Sequence, residues 1–437
     1  MLIAIRKVPL YGLVAGHAVS MTGNVLTLVA LPLYVLSKTG SATATGLTGV
    51  AATLPVALGG VFGGPLVDRL GHRRASVVAD LVGALTVAAV PVLDRTTGLP
   101  LWGLLALVLA SGLLDTPGQV ARTALLPEAA AAAEVPIERA VGTFEAVERG
   151  ARVLGAPLAG LLVALMGALQ VLAVDAASFA LSALVVARLV PSTLTVARQE
   201  ATGYWSTLRT GIGFVARDPL LRALVLLVMV TNMFDSAKST VLLPVYAARE
   251  LGGGLALGLL FGASGLGALV GSLAFGALGH RLPSRATFVA GFCLAGGVPV
   301  LSMAAGLPLP LLVTTAALAG IGAGAINPTM SLIKLQRVPA GVRASVYGII
   351  GAGTWAAMPL GALLGGIVVD QAGLTTTLLA VGVLYLLTTL TPALGGPWRA
   401  MDQPLHPPPR PAPTTTTTTI GPLEDRDRHR LQGPVQD

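Results

Sequence analysis

The chain has 437 residues, of which 54% are apolar and 11% are charged, whereas an ordinary soluble domain carries about 25% charged residues. So few polar side chains cannot cover the surface of a soluble protein of this length, and the composition therefore excludes a soluble globular protein. The net charge of +8 comes from basic residues in short clusters between apolar runs. This pattern is typical of membrane loops and excludes a basic face for nucleic acid.

We expect the chain to begin with a retained transmembrane helix. The apolar stretch that ends near Leu36 is too long for a signal peptide and has no cleavage site of small residues. About 20 apolar residues in a helix cross a hydrocarbon core, and twelve runs of about this length follow one another. We number them spans 1 to 12: 10–36, 43–67, 75–93, 100–122, 140–166, 168–190, 220–247, 255–279, 286–305, 308–335, 344–369 and 374–394.

The spacing of these runs predicts four parts. Residues 1–190 form an N-terminal six-helix bundle, the polar stretch 191–219 is a cytoplasmic linker, and residues 220–394 form a C-terminal six-helix bundle. Residues 395–437 are rich in proline, threonine and charge. They cannot bury apolar area, so we expect a disordered cytoplasmic tail.

The distribution of lysine and arginine predicts the orientation. The connections after even-numbered spans, together with the two termini, hold Arg6, Lys7, Arg69, Arg73, Arg74, Arg139, Arg198, Arg209, Arg217, Arg281, Arg285, Arg337, Arg343 and Arg399, whereas the other connections hold Lys38, Arg95 and Arg249. Basic loops stay on the cytoplasmic side. We therefore expect a multi-pass protein of the plasma (inner) membrane with both termini in the cytoplasm.

An internal repeat supports two related bundles. The stretch Gly64–Arg73 after span 2 aligns with Gly276–Arg285 after span 8, with matching Gly, Leu and Arg positions. Asp115-Thr-Pro117 in span 4 corresponds in the same way to Asn327-Pro328 in span 10. Parallel six-helix repeats related by an axis along the membrane normal are a known transporter plan.

The connection after span 2 contains a dense motif of glycine, acid and base, formed by Gly64, Asp68, Arg69, Gly71, Arg73 and Arg74. A tight turn between helices needs glycine, and Asp68 can pair with a neighbouring arginine or cap another helix. Such a loop can act as a gate that opens and closes the cytoplasmic side. The alternative is that its basic residues serve only to orient the chain.

This motif resembles the signature loop of the major facilitator superfamily. Further similarity to its bacterial drug-efflux branch, which includes macrolide-efflux-like and enterobactin-exporter-like proteins, lies in residues 30–47 and in span 6. The resemblance implies an all-α membrane protein with twelve transmembrane helices in two pseudo-symmetric bundles. Gly155, Pro157 and Gly160 approximate the antiporter motif of span 5, but Asn24 stands where the branch often has aspartate.

Glycines are concentrated in spans 2, 5, 8 and 11. In the fold that the chain resembles, these spans meet across the two bundles. Small residues let helix backbones approach closely, so this enrichment predicts the surface along which the bundles rock. Generic packing of a glycine-rich chain is the alternative.

Charged side chains inside the spans are candidates for function because each costs roughly 2.5–3.5 kcal/mol at mid-membrane. Asp115 and Asp235 are our candidates for handling a proton or a cationic substrate, although Lys238 can pair with Asp235 at this spacing. Lys238, Asn24 and Asn327 are further candidates for contact with a proton or a substrate. For Asp80 and Asp175 we favour a structural role. We expect Glu145, Glu148, Arg149 and Arg152 to form surface pairs.

The sequence has no nucleotide-binding loop and no catalytic or metal-binding arrangement. We therefore expect a secondary transporter, not an enzyme, with no cofactor and an ion gradient, that of protons, as its energy source. Its partners would be a small-molecule substrate and the bilayer, with the chain acting as a monomer. Efflux of a bulky apolar drug or secondary metabolite is favoured, with siderophore or lipid export as the alternative. A membrane-embedded enzyme or a sensor is the alternative of another class.

Overall fold

The computed structural model describes residues 2–192, 204–339 and 342–402, and every regular element within them is helical. A helix satisfies its own backbone hydrogen bonds, which lipid cannot do. Eleven described helices are long and apolar enough to cross a membrane, and the described part of span 2 adds the apolar helix Ala42–Val56. The predicted all-α membrane fold is confirmed.

Spans 1 to 6 are single helices. Their bounds are Leu2–Thr39, Ala42–Leu70, His72–Thr96, Leu101–Ala132, Ile137–Met166 and Ala168–Leu189. A further helix, Tyr204–Arg217, lies within the predicted linker. Asp218 then caps the start of span 7 by accepting hydrogen bonds from the backbone N–H groups of Leu220 and Leu221.

Spans 7 to 12 are less regular. Span 7 is Pro219–Glu250 and span 9 is Ser284–Ala304, and each contains one π-helical turn, Lys238–Leu242 and Cys293–Gly297. Span 8 is Gly254–Leu278, span 10 is Leu309–Arg337 and span 12 is Leu374–Thr389. Span 11 is broken into Arg343–Trp355 and Met358–Ala372, where Pro359 opens the second helix.

The repeat of the sequence is also a repeat of local structure. Spans 5 and 6 are joined by Gly167 alone, and spans 11 and 12 by Gly373 alone, with φ of 89° and 86°. Only glycine adopts this backbone conformation at little cost. The same short reversal therefore occurs at corresponding points of the two bundles.

One arginine in each bundle ties the start of its third helix to the end of its last. Arg73 donates to the carbonyls of Val190 and Ala187, both at 2.6 Å. Arg285 donates to the carbonyls of Pro392 and Ala393 at 2.8 and 2.7 Å. These carbonyls have no partner within their helix, so the guanidinium fork satisfies them.

The chain remains packed beyond the predicted start of the tail. Gly396–Met401 forms a 3₁₀ turn in which Trp398 and Met401 are buried against spans 7 and 9. Arg285 also forms an ion pair of 3.0 Å with Asp402. The order of this segment follows from these contacts, and the remainder of the predicted tail lies outside the described residues.

Candidate functional site

The two bundles meet along two seams, which we define as the contact of span 5 with span 8 and the contact of span 2 with span 11. We call the end of the molecule where span 1 begins the terminal side, and the other end the opposite side. Odd-numbered spans begin on the terminal side and even-numbered spans end there. Each seam therefore has a terminal half and an opposite half, which can be compared.

The span 5–span 8 seam is closed in its opposite half. A Cβ atom placed on Gly160 would lie 2.4 Å from the carbonyl oxygen of Gly254 and 2.9 Å from Cα of Gly258. Pro157 lies against Gly262, where a Cβ atom would be 2.4 Å from its ring. Two of the three predicted motif residues of span 5 are thus placed in the seam, whereas Gly155 packs on Val25 of span 1.

The span 2–span 11 seam is closed in the same half. A Cβ atom on Gly46 would lie 2.4 Å from the carbonyl oxygen of Ala362, and one on Gly366 would lie 2.4 Å from that of Ala42. Both distances are shorter than any that a real Cβ atom tolerates. Glycine is therefore a steric requirement at these positions, which favours the interpretation of the glycine-rich spans as a contact surface over that of generic packing.

The terminal half of the span 5–span 8 seam holds a cavity of about 560 Å³ between spans 5, 8 and 10. Cβ atoms placed on Gly142, Gly150 and Gly276 would meet no other atom within 4 Å. Spans 5 and 8 are thus in contact on the opposite side and leave a cavity between them on the terminal side. A cavity of this size can hold a drug-sized ligand.

The charged cluster of span 5 lines this cavity, which the sequence did not indicate. Glu148 and Arg152 form the predicted surface pair at 2.7 Å. Arg149 instead reaches across the seam to Ser272 Oγ at 3.5 Å, and Asn327 lines the span 10 wall. The cavity therefore has a wall of acids and bases on span 5 and a wall of small residues on spans 8 and 10.

A closed ionic network occupies the core of the N-terminal bundle. Arg122 of span 4 donates from Nη1 to both carboxylate oxygens of Asp80 in span 3, each at 2.9 Å, and from Nη2 to Ser20 Oγ at 3.3 Å. Ser182 of span 6 donates to the same carboxylate at 2.6 Å. Arg122 and Asp80 are 0% and 1% exposed. The structural interpretation of Asp80 is supported, and its partner was missed by the sequence analysis.

Two further carboxylates of this bundle have hydrogen bonds but no ion pair among the described residues. Asp115 accepts from Gln119 at 2.8 Å and from Asn24 at 3.5 Å, while its Oδ1 is buried without a partner. Asp175 accepts from Thr27, at a short distance, and from Ser178 at 3.2 Å. The structure thus brings two of the sequence candidates, Asn24 and Asp115, together.

Asp115, Asn24 and Thr27 line a second, smaller cavity of about 150 Å³, enclosed by spans 1, 2, 3, 4 and 6. Thr27 also donates a hydrogen bond to Asp175, which places Asp175 beside this cavity. Gly23 packs directly against this cluster. A Cβ atom at this position would lie 2.2 Å from Asp175 Oδ1 and 2.0 Å from Ser178 Oγ, so a larger residue would displace these side chains. The sequence analysis favoured a structural role for Asp175, whereas the structure groups it with Asp115.

The charge of Asp235 in span 7 is balanced. Lys238 forms an ion pair of 2.6 Å with Asp235 and donates to the carbonyl of Ala295 at 3.1 Å. Tyr385 of span 12 donates to the other carboxylate oxygen of Asp235 at 3.1 Å. The pairing expected from their spacing is present, and Tyr385 is a partner that local spacing could not indicate. Of the two leading candidates, Asp115 is therefore the one without a counter-charge.

Comparison with known proteins places the chain among transporters. The sequence profile of the Major Facilitator Superfamily matches residues 13–254 and 225–430. The chain belongs to the Major Facilitator Superfamily. It is 31% identical over 395 residues to the multidrug efflux pump Tap of Mycolicibacterium fortuitum, covering 87% of this chain and 94% of that protein. The predicted family is confirmed.

Two further comparisons have lower sequence identity. Macrolide efflux protein A of Streptococcus pyogenes is 22% identical over 392 residues, which are 87% of this chain and 94% of that protein. The crystal structure of the nucleoside transporter NupG superposes with a TM-score of 0.74 at 14% identity, covering 90% of this chain and 98% of that one. The latter likeness supports the major facilitator fold.

The signature loop of the superfamily is a tight glycine turn here. Gly71 has φ of 79° and donates its N–H to the carbonyl of Val67, so it ends span 2 and precedes span 3. Arg69 and Arg74 are exposed, while Arg73 is engaged with the end of span 6 as described above. The surroundings of Gly64 and of the Asp68 side chain are not described, so the gating role of the loop stays a prediction.

Proposed function

We propose that this chain is a proton-coupled exporter of a bulky, largely apolar small molecule, either a drug or a secondary metabolite. It would work as a monomer by alternating access, without a cofactor. The single observation that carries alternating access concerns the span 5–span 8 seam, which is closed in its opposite half and holds a cavity in its terminal half. If the two bundles rock against each other, the closed half can open while the open half closes.

The proposed substrate class rests on relatives and on the large cavity together. Tap is named as a multidrug efflux pump and the other relative as a macrolide efflux protein, and both align with most of this chain. The small-residue wall of spans 8 and 10 offers apolar contact area, while Arg149 and Glu145 offer polar groups at one edge. An apolar pocket with a few polar groups suits a drug-sized ligand.

The proposed proton coupling rests on charge balance in the N-terminal bundle. Arg122 forms its ion pair with Asp80, and Asp115 and Asp175 have hydrogen bonds but no ion pair among the described side chains. An uncompensated charge costs roughly 2.5–3.5 kcal/mol in the membrane. A bound proton removes this cost, and its release when the cavity changes sides would couple the gradient to transport.

The proposed orientation places the terminal side in the cytoplasm and the protein in the plasma membrane. The excess of arginine at the connections of the terminal side supports this orientation. The large cavity would then face the cytoplasm, from which an exporter takes its substrate. The signature loop lies on the same side, and we expect Asp68→Asn to impair conformational cycling while leaving substrate binding intact.

Transport by inside-out membrane vesicles tests the proposal. Vesicles containing the full chain should take up ethidium or radiolabelled erythromycin when acidified inside, and an uncoupler should stop uptake. Asp115→Asn should abolish dependence on the proton gradient while probe binding, measured by fluorescence or filtration, persists. Glu138→Gln, an exposed acid in the first turn of span 5 that does not line the large cavity, is the control and should retain gradient-dependent uptake.

The outcomes separate the parts of the proposal. Uptake that is independent of the gradient in the unaltered chain would refute proton coupling. Full coupling in both Asp115→Asn and Asp175→Asn would refute these carboxylates as the proton site. One outcome of a broad resistance screen is that the chain protects cells from none of the compounds and that it transports lipids or siderophores. That result would refute drug export but would leave the proposal of proton coupling standing.

A further inference from the structure

An acidic residue of the C-terminal bundle caps a helix of the N-terminal bundle. Asp370 lies near the end of span 11, on the opposite side of the molecule. Its carboxylate accepts hydrogen bonds from Ser41 Oγ at 2.7 Å, from the N–H of Ala42 at 3.0 Å and from the N–H of Thr43 at 2.8 Å. All three donors belong to the start of span 2.

These donors have no partner within span 2. The first N–H groups of a helix lack intrahelical acceptors and carry the positive end of its dipole. Ser41 caps only the N–H of Ala44, at 3.2 Å, which leaves those of Ala42 and Thr43 to the carboxylate. A negative charge at this point satisfies both groups and the dipole together.

The cap requires the two bundles to be in contact. Asp370 stands one helical turn beyond Gly366, whose Cα lies so near Ala42 that a Cβ atom would be 2.4 Å from the Ala42 carbonyl oxygen. Separation of spans 2 and 11 by a few ångströms breaks all three hydrogen bonds. Asp370 is exposed at the surface, so water can then solvate both the carboxylate and the freed N–H groups.

We propose that Asp370 is a positioning residue of the transport cycle, which holds the opposite side closed while the terminal side is open. The capped state is stabilised relative to the state in which the opposite side opens. Span 2 would then take part in one charged contact at each end. Asp370 closes one end, and the signature loop with Asp68 acts at the other. This role holds whichever ion drives transport.

Distances between spin labels test this role in the full-length chain. Cys293 is first replaced by serine, and labels are placed at Met166→Cys and Leu255→Cys. These exposed positions lie in the opposite half of the other seam, remote from Asp370. Their distance distribution in proteoliposomes reports how often the opposite side is open, without reporting the local structure around span 2.

Removal of the carboxylate should shift this distribution. Loss of a helix cap typically corresponds to a change of about five-fold in a two-state ratio, so Asp370→Ala should raise the ratio of open to closed opposite sides about five-fold. Asp370→Asn, which keeps one acceptor and loses the charge, should give a smaller shift. Asp94→Asn is the control, because Asp94 pairs with Lys38 within one bundle, and it should leave the distribution unchanged.

A purely structural role predicts a different result. If Asp370 only stabilised the fold, Asp370→Ala would lower the melting temperature and leave the ratio of open to closed states as in the unaltered chain. That result would overturn the proposal, as would an equal shift in Asp94→Asn. If Asp370→Ala does not fold, Asp370→Asn carries the test, and an unshifted ratio in that variant overturns the proposal equally.

Discussion

The ionic network of Asp80 and Arg122 gives the sharpest prediction, because its two members cannot respond alike to loss of the partner. Asp80→Asn leaves the guanidinium of Arg122 buried without a counter-charge. Arginine cannot release its proton in a protein, and loss of one partner of a buried pair typically costs 3–5 kcal/mol. We therefore expect Asp80→Asn to lower the free energy of unfolding by about 3–5 kcal/mol at every pH from 5 to 8.

Arg122→Met leaves Asp80 with Ser20 and Ser182 as hydrogen-bond donors, and its carboxylate can take up a proton. Protonating a carboxyl group of ordinary pKa 3.9 at pH 7 costs about 4 kcal/mol. The folded state of this variant then binds one more proton than its unfolded state, so its free energy of unfolding rises as the pH falls. The penalty should shrink by about 1.4 kcal/mol for each unit of pH between 7 and 5.

Unfolding in mixed detergent micelles, followed by tryptophan fluorescence from pH 5 to 8, measures both penalties. Because both charges are absent from the double variant Asp80→Asn with Arg122→Met, it should lose at least 2 kcal/mol less than the sum of the single losses. Arg152→Met is the control, since its exposed pair with Glu148 contributes at most about 0.5 kcal/mol. Additive single losses, or a pH-independent penalty for Arg122→Met, would refute the reasoning.

Three further predictions concern the seam, the C-terminal network and the end of the chain. Gly160→Leu should abolish vesicle transport because its side chain would meet the span 8 backbone. Gly213→Leu, in the linker helix outside both seams and with no atom within 4 Å of the added Cβ, should transport normally. Equal activity of the two variants would contradict a closing seam. Tyr385→Phe removes one hydrogen bond to Asp235 and should lower the free energy of unfolding by about 1 kcal/mol. Proton-coupled transport should be unchanged, and a loss of coupling would instead assign a transport function to this network. Arg285→Met frees the carbonyls of Pro392 and Ala393, in the 3₁₀ turn after span 12. It should speed amide hydrogen exchange in residues 391–402 at least ten-fold, whereas unchanged exchange would mean that Arg285 does not hold this segment.

The spans, the turns and one ion pair were predictable because each depends on neighbours in the sequence. Apolar runs of helical length specify the spans whatever their partners, and Gly71 has the positive φ that its turn requires. Lys238 lies one helical turn from Asp235, so their pairing follows from helix geometry. The matching Arg73 and Arg285 of the repeat were likewise visible as a pattern, although their carbonyl partners were not.

The distant contacts were decided by tertiary structure alone. Arg122 binds Asp80 across 42 residues, Thr27 binds Asp175 across 148, and Ser41 binds Asp370 across 329. A sequence states which residues share a face of one helix, but the register and depth at which two helices pack decide which faces meet. By itself the chain therefore determined a twelve-span major facilitator fold and the candidates within it. Only the packed bundles decided that Asp235 also binds Tyr385, that Asp115 and Asp175 have no ion pair among the described residues, and that Asp370 reaches the other half.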